Sequence, residues 1–141
     1  MPKSDTDVIE ARQEQSQASR RATLDLLRSK KRAEKDLMVQ FPGSEDPYSF
    51  HLRAIGAKEY DELVSKFPPT IEQRAEGASY DIHRFAPALL SAVITEPRMT
   101  ETEWLEIWNS PDWNRGEVMQ FFYSAVDLCN QGLTIPFSGR A

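Results

Sequence analysis

Glu96-Pro97-Arg98-Met99-Thr100-Glu101-Thr102-Glu103-Trp104, followed by Ile107-Trp108-Asn109-Ser110-Pro111 and then Trp113-Asn114-Arg115-Gly116-Glu117, decides the fold class of this chain. A proline that cannot continue a helix precedes a threonine with glutamate three residues on, the two-way cap that opens a helix. Trp104, Ile107 and Trp108 then share one face, and Asn109-Ser110-Pro111 closes the element. Asn114 and Glu117 repeat the cap, and Val118, Phe121, Phe122, Ala125, Val126 and Cys129 follow at helical spacing toward Gly132, which stands where a C-terminal cap belongs. Two short amphipathic helices in tandem are therefore expected.

Upstream, the same punctuation recurs. Tyr60, Leu63, Val64 and Phe67 form a stripe at i, i+3, i+4 and i+7 over Ala57–Phe67, ended by Pro68-Pro69. Residues 70–79 are polar and read as a loop with at most one helical turn. Phe85-Ala86-Pro87-Ala88-Leu89-Leu90 opens a helix to Ile94, with Pro87 in its first turn. Its apolar positions cover most of its circumference, so it is expected to be the central, most buried helix.

Before Ala57 the period changes from 3.6 to two. Leu37–Phe41 reads as a strand stopped by Pro42-Gly43, and Tyr48, Phe50, Leu52 and Ala54 alternate with Ser49, His51 and Arg53. The short connection implies an antiparallel hairpin. The fold class expected is mainly α, a small helical bundle with one N-terminal antiparallel β-hairpin and a flexible N-terminal segment. The domain expected is 37–141, preceded by a polar, helix-permissive segment over 1–36 that has no aromatic residue. Residues from Met1 to about Ala22 are expected to be mobile. Arg28-Ser29-Lys30-Lys31-Arg32 reads as a solvated helix end or linker, and Leu133–Ser138 as an extended tail that packs back on the body.

At 141 residues with 40% hydrophobic and 28% charged residues, the chain can build one modest core. The net charge of −5 conceals a split. Met1–Asp36 holds nine basic and seven acidic residues, the remainder eight and fifteen, so the body carries −7. Such a body repels phosphate backbones, which argues against nucleic acid as main partner. A single cysteine, Cys129, excludes an internal disulfide framework and suits a reducing compartment. No apolar run reaches the roughly 18 residues of a membrane span, and the N-terminus is not signal-like.

Catalytic chemistry has little to work with. His51, His83 and Cys129 show no ligand spacing, and a metal or nucleophile site needs several such groups converging. Glu101, Glu103 and Glu106 sit where a helix start already favours negative charge. No catalytic, metal or cofactor-binding residues are assigned, and no cofactor is expected. The aromatic residues Trp104, Trp108, Trp113 and Phe122 are the partner-binding candidates, with core packing as the competing reading for the tryptophans.

From Leu37 to Phe137 the order of these elements resembles the tail assembly chaperones of long-tailed phages of actinobacterial hosts. The likeness rests on the hairpin strand, Phe67-Pro68-Pro69-Thr70, the Phe85–Leu90 helix start, Glu96-Pro97 before the Trp104 helix, and Trp113-Asn114-Arg115-Gly116-Glu117. The resemblance implies a protein of the host cell cytoplasm that binds and solubilises the tape-measure protein, is absent from the mature virion, has no catalytic residues, and is made with a longer frameshifted form. Other tail proteins and a second copy are further partners it allows. A small virion component of the tail or head–tail connector is the alternative.

Overall fold

A computed structural model describes residues 19–136. The expected mobility of Met1–Ala22 falls mostly outside these residues, as does the end of the C-terminal tail. The chain divides into two compact units, 1–31 and 32–141. In the first, the described residues form one short helix, α1 (Leu24–Ser29), capped by Thr23, whose hydroxyl accepts the Leu26 amide at 3.1 Å. Leu24, Leu26 and Leu27 are all exposed.

In the second unit β1 (Glu34–Val39) pairs antiparallel with β2 (Tyr48–Arg53). Then follow α2 (Ala57–Ser65), α3 (Ile71–Ala75), α4 (Ile82–Val93), β3 (Ile94–Glu96), α5 (Glu101–Asn109) and α6 (Arg115–Asn130). The described residues are 48% helix and 13% strand, a mixed α/β fold rather than a helical bundle with a hairpin attached.

The sheet departs from expectation in two ways. The first strand runs over Glu34–Val39, not Leu37–Phe41, so the polar residues Glu34, Lys35 and Asp36 are sheet residues. Polarity suits two of the three to their places, whereas Lys35 alternates onto the face of Leu37 and Val39, opposite Leu52, and is half-buried. Glu34 and Asp36 stand on the solvent face beside Arg53 and His51, while Leu37 and Val39 face inward beside Phe50 and Tyr48. The second departure is β3, which pairs antiparallel with β2 and gives the order β1-β2-β3. It follows α4 without a loop, because Ile94 swings into extended conformation while its amide still bonds the Leu90 carbonyl. Three residues carry no period, so nothing local marks them as a strand. The hairpin itself closes through Phe41-Pro42-Gly43-Ser44, where the Ser44 amide reaches the Phe41 carbonyl at 3.1 Å. Proline at the second position and Gly43 at φ 81° suit a type II turn, which a side chain at Gly43 would strain.

On the solvent face, His51 Nδ1 lies 2.7 Å from Asp36 and Nε2 lies 3.1 Å from Glu34. Only the imidazolium can donate to both carboxylates, and the Asp36 hydrogen bond, then that of Glu34, raises the His51 pKa above its ordinary 6.5. A raised folded-state value means that the clip stabilises fully below about pH 6.5 and is lost as pH rises through that higher value. β1 is an edge strand with no other partner in the sheet, so its amides report the clip. Hydrogen exchange at Lys35 and Leu37, whose amides face β2, is expected to accelerate across that window beyond the intrinsic pH effect. In His51→Gln the excess should vanish.

The helices follow their signals closely at the N-terminal ends. Thr100 with Glu103 and Asn114 with Glu117 each form the expected two-way cap. Thr70 with Gln73 forms a third and turns the expected loop into α3, which ends in a Schellman motif at Gly77 (φ 90°), with Ala78 N–H to Gln73 and Gly77 N–H to Arg74. α4 starts at Ile82, not Phe85, because the Asp81 carboxylate accepts the His83 amide. Pro87 therefore sits in the second turn, where it removes one backbone donor, and its ring is fully buried. At the C-terminal end, α6 stops at Asn130 with Gln131 extended, and Gly132 forms no left-handed cap. Over its described residues the tail does not pack back: Leu133 and Ile135 are 76% and 69% exposed.

α4 is the central helix, as expected, with Phe85, Ala86, Leu89, Leu90 and Val93 at 5% exposure or less. It packs against α2, α5 and α6, and α6 also covers the inner face of β1 and β2. Adjacent residues of α6 serve two sides. Phe121 stacks edge-on against Phe50 of the sheet at 4.9 Å, and Phe122 against Phe85 of α4 at 6.0 Å.

Because β1 begins at Glu34, the two ways of trimming the N-terminus should differ sharply. Removal of residues 1–31 is expected to leave the melting temperature of the second unit within a few degrees. Removal through Asp36 takes half of β1 and the His51 clip, and should lower it clearly. Scanning calorimetry of the two truncations checks this.

Candidate functional site

The four aromatic candidates separate into two pairs. Trp104 and Phe122 lie in the core at 4% and 2% exposure, so neither offers area to a partner. The reason is position: both face α4, the helix that every neighbour covers. Trp104 Nε1 is buried without a hydrogen-bond partner, an unusual expense for an indole. Trp108 and Trp113 are half-buried and reach the surface.

Those two indoles flank a groove of about 360 Å³ between the start of α4, the end of α5 and the start of α6. Ile82, Val118 and Met119 supply further apolar lining, and His83, Asn109 and Arg115 the polar lining. Trp108 Nε1 donates to His83 Nδ1 at 3.2 Å, which fixes the Trp108 ring and puts the proton of a neutral His83 on Nε2. Met119 was not singled out in the sequence. It lies off the main α6 stripe, yet it is buried in the core at 8% exposure.

Trp113 connects this groove to a second surface. Its ring packs edge-on against Phe41 at 5.8 Å, and Phe41 against Tyr48 at 5.5 Å. Phe41, Tyr48, Phe50 and Pro97 line a shallower groove of about 880 Å³ at the hairpin tip, beyond the cis Glu96–Pro97 bond. Tyr48, expected to point inward with Phe50, is on the inner face by register yet 57% exposed, because the sheet runs past the helices there. The result is a row of half-exposed aromatic rings, Tyr48–Phe41–Trp113, between two concave surfaces. Phe41 and Tyr48 carried a period-two signal, but nothing local marked them as neighbours of Trp113.

No protein-family model, curated protein or solved structure matches the chain.

The titratable candidates stay apart. His51 is on the solvent face of the sheet, His83 at the first turn of α4, and Cys129 near the end of α6. Burial pushes the Cys129 thiol up, so it remains protonated at neutral pH. Among the described residues no group of three or more His, Cys, Asp or Glu could hold a metal ion, and no helix is long and apolar enough to cross a membrane.

Proposed function

We propose that this chain binds and solubilises a long, helical, partly apolar client, and that the client is the tape-measure protein of a phage tail. The reading has two supports of different kinds. The order of motifs from Leu37 to Phe137 resembles the tail assembly chaperones. The half-exposed row Tyr48–Phe41–Trp113, flanked by two grooves, is the single structural observation that carries it. Aromatic side chains on concave surfaces bury large area at low conformational cost and recur as binding anchors. A groove of 360 Å³ takes a few side chains rather than a whole helix about 10–12 Å across. That suits shallow, exchangeable contact with one face of a client helix, as a holding protein needs.

On this reading the work is binding without catalysis, done in the host cell cytoplasm, and the protein leaves before the particle is finished. An acidic body keeps the protein and its loaded complex soluble. Co-expression tests it: the tape-measure protein should shift from pellet to supernatant and co-purify with this chain. A client that stays insoluble and unbound, together with this chain at stoichiometric level in purified particles, overturns the proposal in favour of a virion component.

A further inference from the structure

We propose that the groove between the ends of α4, α5 and α6 selects helical segments in which a carboxylate stands one turn from large apolar side chains, with Arg115 and His83 as the selecting residues. This rests on the client-binding reading above and adds what that reading leaves open, namely which segments are taken.

The argument starts from a local reversal of charge. The body from Leu37 onward carries −7, yet no carboxylate lines this groove. Its charged member is Arg115, which forms none of the ion pairs among the described residues. Beside it, the Trp108 indole occupies His83 Nδ1 and so leaves Nε2–H as a donor. Asn109 adds an amide. The polar lining can thus donate from three side chains, while accepting capacity comes from Asn109 alone. The apolar lining is two indoles with Ile82, Val118 and Met119. Such a site is complementary to an apolar side chain seated between Trp108 and Trp113, with an anionic group beside it.

Helical spacing supplies that pair. Residues three or four apart on a helix lie about 5–6 Å apart on one face, so a glutamate one turn from a leucine or phenylalanine presents both together. Guanidinium and imidazole donors bind a carboxylate through charge-assisted hydrogen bonds, and a lysine at the same place meets Arg115 as a like charge. The acidic surface elsewhere disfavours acidic segments, which confines their binding to this groove and fixes the register of the client upon it.

Three synthetic amphipathic helices with one leucine stripe, differing only in Glu, Gln or Lys one turn from the central leucine, test this against the full chain by calorimetric titration at low salt. The Glu helix is expected to bind about tenfold tighter than the Lys helix, with Gln between, and added salt should narrow the gap. Arg115→Glu should invert the order and Arg115→Gln should flatten it. Arg115 is exposed at the start of α6, where glutamate is well accommodated, so both variants are expected to fold normally. Equal affinity of the three helices for the native protein, or an order unchanged in Arg115→Glu, overturns the inference. If Trp108→Ala then weakens all three alike, the client-binding reading survives without charge selection. If no helix binds at all, both fail.

Discussion

Phe85→Ala should cost about 3–5 kcal/mol of folding stability, the typical range for deleting a fully buried phenylalanine. Phe85 has no exposed area and its ring meets Tyr60 at 5.8 Å, Tyr80 at 4.6 Å and Phe122 at 6.0 Å. Truncation leaves a void bounded by α2, the segment before α4, and α6, none of which can close it without leaving the others. A domain's whole stability is about 5–15 kcal/mol, so the variant stands near the edge of folding at 37 °C. Trp104→Ala belongs to the same class, because its ring packs on Phe121 at 5.9 Å at 4% exposure. Trp104→Phe should be much milder. It keeps an aromatic ring there and removes the buried Nε1–H that has no partner, which offsets part of the lost packing. Urea melts of the three variants check both halves. A loss under about 1 kcal/mol in Phe85→Ala would contradict the core described above.

The second large effect is on binding. Trp108→Ala and Trp113→Ala are each expected to weaken client binding by about 2 kcal/mol, roughly 30-fold in Kd. Both rings are half-buried, so some stability is lost as well, but less than in Phe85→Ala. The helical circular-dichroism spectrum should persist while affinity falls. Trp108→Ala also frees His83 Nδ1, whereas Trp113→Ala uncouples Phe41 and thereby the hairpin-tip groove. If the two surfaces act as one, Trp113→Ala combined with Tyr48→Ala should cost less than the sum of the single changes. Unchanged affinity in both tryptophan variants would remove this face as the binding surface.

The same two indoles show where the sequence stopped being informative. Trp104 and Trp108 lie four residues apart in one helix with matching neighbours, so pattern alone places both on its apolar side. Which of them ends in the core depends on where α4 crosses α5, and that is a contact between segments distant in the chain. Phe121 and Phe122 pose the same difficulty: adjacent residues, both buried, facing opposite layers.

What the sequence determined by itself is local in origin. The caps at Thr100 and Asn114, the stop at Pro68-Pro69, the turn at Pro42-Gly43 and the burial of the Phe85–Val93 stripe all rest on residues within a turn or two of one another. Their physics is the satisfaction of orphaned backbone groups and the 3.6-residue period. What only the tertiary structure decided is non-local. β3 exists because the β2 edge offers hydrogen bonds to Ile94–Glu96, and β1 extends back to Glu34 because β2 pairs with it as far as Arg53, with His51, fifteen residues away from Asp36, giving two carboxylates a common partner. The aromatic row exists because Tyr48 and Phe41 of the hairpin meet Trp113 of the helix connection, a closeness that no spacing in the chain encodes.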